Sequence, residues 1–435
     1  MSGQFHCSFV ELAGRAPAFL YEPDQLGHKS RIGLVLMHSD DSYLGFWPAP
    51  ELAKRGYRVL AGNVENRTAS LDEKMMDVRD CVEFLRNYPG IEKILLIGHS
   101  GGATLMSAYQ RAAENGYDSL RVDGLIAKSH LQGKLTPADG MLFLDSNFGN
   151  GAMTLMSLDP AIESEEHPQG RIPELDLFDP ANGYSISGTH YSEEFKARFF
   201  RAQGARGNAL IDKALSIAEE VAAGKGRYSD DAPFDVPGAN QIAPNNKLFP
   251  QDTNLLAHTK GEWPLLHGDG TVSLEVVKCL RIPRAGMQSS ASLRQGAIQT
   301  TVHTFLRSQA VRTTEDYRVG EDGVYGIDWE STYCCTPSNV SWIHVPTLMM
   351  GMTGSYEYLA SELLYERSAA CDKTLAFVAG AGHNFAPAYE AEQYTGEFGD
   401  TVTALFNYVD AWIDARDFDD TRVPSSCLDC LQSNA

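Results

Sequence analysis

No run in the chain approaches the roughly 20 apolar residues that a membrane span needs, so an integral membrane protein is not expected. Basic residues are scarce. With 57 acidic against 36 basic residues in 435, the formal net charge is −21. That balance argues against nucleic acid and against anionic membrane surfaces as partners, and leaves neutral or weakly charged small molecules. Low-complexity tracts are missing, and a composition of 43% hydrophobic and 21% charged residues is that of a globular protein. The start, Met1-Ser2-Gly3-Gln4-Phe5-His6-Cys7, has neither a basic beginning nor a long apolar stretch. It does not read as a secretory signal, and a cytoplasmic, reducing location is expected. The eight cysteines are therefore read as thiols rather than as a disulfide framework. Cys427 and Cys430 have C-x-x-C spacing but no second pair, which favours an ordinary solvated tail over a metal or redox site. Asp40-Asp41 has no companion ligand spacing either and reads as a turn-forming acidic pair. No metal and no cofactor is expected.

What is present is an alternation of strands and helices. Residues 5–22 read as a hairpin. Arg31 to His38 is a continuous apolar run of the kind shown by a strand buried on both faces. Trp47 to Arg55 reads as a helix and Tyr57 to Val64 as a strand. Ser70-Leu71-Asp72-Glu73 is a capping box that opens a helix carrying Met75, Val78, Val82 and Leu85. Lys93 to Ile97 is a strand followed by a helix from Ala103, and Gly140 to Asp145 is another strand. Strand and helix in regular succession imply a mostly parallel, doubly wound α/β sheet. The rhythm breaks from Asn147 to Val340. Loops there accompany two expected amphipathic helices, about Ser192–Gly224 (with a break near Gly204–Gly207) and about Ser290–Arg307. It returns with a strand at Ile343–Gly351, a helix at Tyr356–Ala370, a strand at Lys373–Val378 and a helix at Asp400–Ala415. The expected organisation is a core of residues 1–146 and 341–417, an inserted, mainly helical and loop-rich cap at 147–340, and a C-terminal tail at 418–435.

The motif that carries chemistry is Gly98-His99-Ser100-Gly101-Gly102, a G-x-S-x-G pattern entered from a strand and left by a helix. A serine on such a sharp turn needs small neighbours, because other chain segments approach the strained backbone closely. The turn exposes the hydroxyl, and the helix N-terminus behind it favours negative charge. Ser100 is the expected nucleophile. A serine hydroxyl needs a base, and His383 is the choice: it sits in Gly380-Ala381-Gly382-His383-Asn384, a small-residue loop directly after the last strand. An acid should orient it. Glu357, after the Thr347–Met350 strand, is the first candidate; Asp145, at the end of the strand after the nucleophile helix, is its rival; Asp328 and Glu330 are weaker. Backbone N–H groups of Gly101 and of Ser39 or Asp40 are the expected oxyanion donors. Tyr43, Phe46, Trp47, Phe148 and Tyr356 could line an apolar substrate pocket, or simply pack cap against core.

With the elbow at Gly98–Gly102, His383 as base and an acid between, the chain resembles the α/β-hydrolase superfamily over residues 5–146 and 341–415. The stretch from Gly98 through Gln110 and Phe249-Pro250-Gln251-Asp252 is also similar to fungal members of that superfamily with a large cap insertion. Ser39 stands where many relatives have glycine. The resemblance implies an α/β-hydrolase fold and acyl chemistry, with no cofactor. Serine at the elbow excludes the reactions that need a carboxylate there. Ester or lactone hydrolysis of a medium-sized apolar or aromatic molecule is the leading expectation. Acyl transfer, C–C or amide cleavage on the same triad, and ligand binding without turnover are the alternatives. The Ser192–Gly224 helix can serve a homodimer as readily as a cap wall.

Overall fold

The computed structural model describes residues 4–186, 188–239, 247–283, 296–416 and 418. In chain order, β1 (Phe5–Val10) and β2 (Ala18–Pro23) form an antiparallel hairpin, followed by β3 (Ile32–His38), α1 (Pro48–Lys54), β4 (Arg58–Asn63), α2 (Leu71–Arg86), β5 (Lys93–Ser100), α3 (Gly102–Asn115) and β6 (Gly140–Ser146). The middle region holds α4 (Asn150–Ser157), α5 (Glu193–Ala222), β7 (Pro233–Pro237), β8 (His258–Leu266), β9 (Val272–Lys278), β10 (Ala297–Thr301), α6 (Val302–Ser308), β11 (Arg312–Val319), β12 (Val324–Asp328) and α7 (Thr336–Asn339). The chain then returns through β13 (Thr347–Met352), α8 (Ala360–Arg367), β14 (Lys373–Val378) and α9 (Thr401–Asp414).

One ten-stranded sheet runs in the order β1-β2-β4-β3-β5-β6-β13-β14-β8-β9. From β4 to β8 every neighbouring pair is parallel; β2 meets β4, and β9 meets β8, antiparallel. The two-residue period of a strand sends alternate side chains to opposite faces, and two cores result. Val35, Met37, Leu60, Ile94 and Leu96 pack with α2 and α3. Leu34, Leu36, Val59, Ala61, Leu95 and Ile97 pack with α1 and α9. A central parallel sheet covered by helices on both faces, with a leading antiparallel hairpin and strand β5 turning sharply into α3, is the α/β-hydrolase fold. Among the described residues no helix is long and apolar enough to cross a membrane.

The capping box forms as its residue types require, with the Glu73 carboxylate accepting the Ser70 backbone N–H at 2.8 Å. Four expectations need correction. First, residues 147–340 are not simply a helical cap: β8 and β9 extend the main sheet beyond β14, while β7 pairs with β10 and β11 with β12 in two small hairpin-like ribbons. Second, the Ser290–Arg307 helix is in part the strand Ala297–Thr301. Its β-branched residues pair with Pro233–Pro237, and the helix begins only at Val302, capped by the Thr301 side chain; residues 290–295 lie outside the described residues. Third, α5 runs unbroken through Gly204 and Gly207. Both glycines allow close approach: a Cβ on Gly204 would lie 3.0 Å from Thr313 Oγ1, and one on Gly207 2.9 Å from Leu155 Cδ1. Fourth, the Tyr356–Ala370 helix is a short 3₁₀ turn at Tyr356–Leu359 that leads into α8. Of the 418–435 tail only Phe418 is described, so Cys427 and Cys430 lie outside the described residues. The reading of all eight cysteines as thiols also fails at Cys371, which is disulfide-bonded.

The turn after β5 has little room. A Cβ on Gly102 would stand 2.5 Å from the Met37 carbonyl oxygen, and one on Gly98 2.7 Å from the Ala103 Cα. Because the obstacle at Gly102 is backbone, Gly102→Ala is expected to destabilise the fold by about 1–3 kcal/mol through overpacking. A lowered denaturant midpoint with unchanged slope checks this.

Candidate active site

Ser100 ends β5 with φ +52°, a left-handed conformation that is strained for a residue with a Cβ. That strain is the mark of the elbow: it turns the chain from strand to α3 within two residues and leaves the serine partly exposed. Its hydroxyl has no hydrogen-bond partner among the described residues, a common state of a nucleophile before substrate arrives.

His383 lies five residues beyond β14, in a loop tied back to the fold by Gly382 N–H to the Ala386 carbonyl at 2.8 Å. The structure brings both leading acids to it. His383 Nδ1 lies 2.7 Å from Asp145 Oδ2 and 3.5 Å from Glu357 Oε2. Asp145 is the penultimate residue of β6, immediately beside β5, and also carries a positive φ, +48°. Its side chain is fully buried, and its second oxygen accepts the Met352 backbone N–H at 2.9 Å. The closer acid is therefore the one ranked second in the sequence. Glu357, in the turn after β13, is also buried, and its carboxyl is pushed above the usual range by burial and by the Asp145 charge. Asp328 and Glu330 are engaged elsewhere: Asp328 caps its own turn and Glu330 pairs with Arg367.

These carboxylates set the state of the imidazole. Burial disfavours the charged form of His383, but the Glu357 charge and the bonded Asp145 carboxylate outweigh it and hold the group up at about 9. Asp145, Glu357 and His383 bring potential metal-ligand atoms within 4.8 Å of one another. Nδ1, however, is engaged with Asp145 at hydrogen-bond length and the carboxylate has no solvent-exposed surface, which suits an oriented imidazole better than a cation entry path.

Two further histidines surround the elbow, and neither was singled out in the sequence. His99, fully buried, spans the site: one ring nitrogen, Nε2, lies 2.8 Å from the His383 carbonyl and Nδ1 lies 2.5 Å from the Tyr43 hydroxyl. A carbonyl can only accept, so Nε2 carries the proton and Tyr43 donates to Nδ1. Burial, reinforced by the neighbouring His383, keeps His99 neutral, with its affinity for a second proton well below the usual value. Its ring packs 4.4 Å from that of His383, and Phe46 covers it at 4.8 Å. His38, at the end of β3, accepts the backbone N–H groups of Asp40 and Asp41 on Nδ1, at 3.0 and 2.9 Å.

The oxyanion donors expected from this loop fare differently. The Asp40 N–H is already spent on His38. The Ser39 hydroxyl donates to Asp40 Oδ2 at 2.5 Å and accepts from the Asn150 side chain at 3.4 Å. Lys74 fixes Asp40 from the other side at 2.9 Å and, with Ser39, holds that carboxyl below its usual range against burial. Gly101 lies against this loop: a Cβ there would be 3.1 Å from Ser39 Oγ. Of the aromatic residues expected in a pocket, Tyr43 and Phe148 are buried in the two cores, 6% and 1% exposed. Tyr356 is partly exposed and packs on Phe249, Phe46 is partly exposed over His99, and Trp47 is 49% exposed. A cavity of about 160 Å³ bounded by Asp40, Lys74, Asn150, Thr301, Ser308 and Gln309 adjoins the loop after β3.

No protein-family model matches the chain, and no curated protein does. Among solved structures, the siderophore hydrolase EstB of Aspergillus fumigatus aligns at 13% identity over 95% of this chain and 98% of its own, with a TM-score of 0.43. The α/β-hydrolase GrgF of Penicillium sp. sh18 aligns at 10% identity over 94% and 98%, with a TM-score of 0.42. Esterase B of Lactobacillus rhamnosis aligns at 10% identity over 95% and 87%, with a TM-score of 0.39. Likenesses this distant say nothing of the chemistry, for which the geometry of the site has to speak.

Proposed function

We propose that the chain is a serine hydrolase that cleaves an ester or lactone bond through an acyl-enzyme, with Ser100 as nucleophile, His383 as base and Asp145 as the orienting acid. The observation that carries this reading is the 2.7 Å bond between His383 Nδ1, in the loop after β14, and a buried Asp145 at the end of β6, the strand beside a serine held at φ +52° between a strand and a helix. With Nδ1 bound to the carboxylate, Nε2 is the nitrogen left to take the serine proton. Ser100 Oγ attacks the acyl carbon, its proton passes to His383 Nε2, and the carbonyl electrons move to the oxygen. Collapse breaks the bond to the leaving alkoxide, which takes the proton from His383. Water then repeats the sequence on the acyl-enzyme.

The substrate proposed is a medium-sized, neutral molecule. Phe46 and Tyr356 offer partly exposed aromatic faces beside His99 and Glu357. The cavity next to the loop after β3 is polar, and Thr300 Oγ1 and Gln309 Oε1 on its wall are buried without a hydrogen-bond partner among the described residues. That combination supports a substrate with an apolar or aromatic body and a hydrogen-bonding group at one end. Residues 147–340, apart from the β8–β9 extension of the sheet, are proposed to form the cap that selects it.

Reaction of the intact chain with a fluorophosphonate, followed by peptide mass mapping, is expected to place a single adduct on Ser100. Labelling at another residue, or none in folded protein, would overturn the assignment in favour of another nucleophile or of a binding protein on this fold.

A further inference from the structure

Two side chains crowd the space beside Gly101: a Cβ there would lie 3.1 Å from Ser39 Oγ and 3.2 Å from the His38 ring. The Ser39 hydroxyl has committed its hydrogen to Asp40 Oδ2, and the neighbouring Asp40 backbone N–H donates to His38 Nδ1. The other side chain is His38. Its Nδ1 accepts two backbone N–H groups, so in the neutral ring the proton must sit on Nε2. Nε2 has no hydrogen-bond partner among the described residues, and it lies 3.2 Å from the position a Cβ would take on Gly101. The ring is held in place by Tyr43, with centroids 4.8 Å apart, and the residue is only partly buried.

The geometry points to His38 as a catalytic residue: its Nε2–H, together with the Gly101 backbone N–H, donates to the oxyanion that forms when Ser100 attacks. This rests on the serine-hydrolase reading above. The role requires no proton transfer. The Nε2–H bond stays intact while the carbonyl oxygen gains charge, and the donor is oriented before the reaction begins. A neutral donor is what such a site needs, since an imidazolium would bind the ground state through its charge as well. Burial holds His38 down at about 4; Asp40 and Asp41 pull upward, His383 and Lys74 push downward, and the ring stays neutral in the working range.

Two substitutions separate donation from loop support. In His38→Asn the side-chain oxygen can replace Nδ1 as acceptor for Asp40 and Asp41, but the Nε2 donor is gone. In His38→Gln the amide nitrogen can reach the Nε2 position, but the acceptor is gone. The expected result is a 10²- to 10³-fold loss of single-turnover acylation rate in H38N, with KM nearly unchanged, and a loss within tenfold in H38Q. An aryl trifluoromethyl ketone provides the second readout. By ¹³C NMR, the ionised hemiketal on Ser100 should be weakened by a similar factor in H38N and largely kept in H38Q. Parental acylation in H38N, or equal losses in both variants, would overturn the role of His38. If the parent protein forms no hemiketal on Ser100, it is the serine reading that fails, and the His38 role fails with it.

Discussion

Replacing Ser100 by alanine is expected to lower turnover of a chromogenic aryl ester by about 10⁶-fold, the scale on which removal of a triad nucleophile acts in other serine hydrolases. The fold should remain, because the strain at this position belongs to the backbone: φ +52° is set by β5, by Gly98 against Ala103 and by Gly102 against Met37, none of which involves the hydroxyl. The hydroxyl also makes no hydrogen bond whose loss would leave a buried group unpaired. His383→Ala should cost nearly as much, and the double variant little more than either, since nucleophile and base act as one unit. A remainder above the uncatalysed rate is expected from the oxyanion donors at Gly101 and His38 alone. Burst amplitude in rapid mixing measures acylation directly: it should fall to zero in both single variants. A Ser100→Ala protein that keeps its burst would mean that another group attacks, and the reading of the elbow would be wrong.

The elbow was legible in the sequence because its demands are local. Small residues at 98, 101 and 102 between an apolar strand and a helix are a signature that needs no knowledge of distant contacts. The parallel core was legible for the same reason: Leu34 to Met37 and Ile94 to Ile97 are apolar on both faces because helices cover both. The acid was not decidable. Asp145 lies at the C-terminal end of β6 and Glu357 in the turn that follows the adjacent strand β13, so two carboxylates 212 positions apart in sequence reach one imidazole. Ranking them depends on a distance difference of 0.8 Å (3.5 against 2.7 Å) that no spacing rule contains. The middle region was read as helical where Ala297–Thr301 is a strand, since its pairing with Pro233–Pro237 lies some 60 residues away. The extension of the sheet by β8 and β9 depends on parallel contacts of Phe377 and Val378 with Leu265 and Leu266, again beyond any local signal. In the sequence His38 belongs to the apolar run of Arg31 to His38 and has no role of its own. The one hint was an imidazole followed directly by residues whose backbone N–H groups can fold back on it.

Asp145 and Glu357 should separate cleanly by substitution. Asp145→Asn is expected to lower kcat/KM by about 10⁴-fold, because an amide can donate to Nδ1 and so stabilise the tautomer with its proton on the wrong nitrogen. The amide oxygen keeps the bond from the Met352 N–H, and that bond turns the amide nitrogen toward Nδ1. Glu357→Gln should act on pH instead. Burial favours neutral His383, and the Glu357 charge is foremost among the influences that raise it to about 9. The base form is the active one, so in the parent the rate should climb as pH rises through that value, and at neutral pH most of the protein holds its imidazole protonated. Removing the Glu357 charge lowers the affinity of His383 for its proton and moves the ascending limb toward neutrality, leaving the high-pH plateau within tenfold of the parent. At pH 7 the variant should therefore turn over faster than the parent. Lys247, fully buried and held down at about 8 by burial against the pull of Glu357, gives up its proton more readily in the same variant and adds no new charge beside the imidazole. The measurement is a pH profile of kcat/KM for parent, D145N and E357Q with one aryl ester. If E357Q loses 10⁴-fold across the range while D145N keeps its rate and shifts its limb, the two acids exchange roles, and the shorter bond orients the imidazole without being the one that catalysis needs.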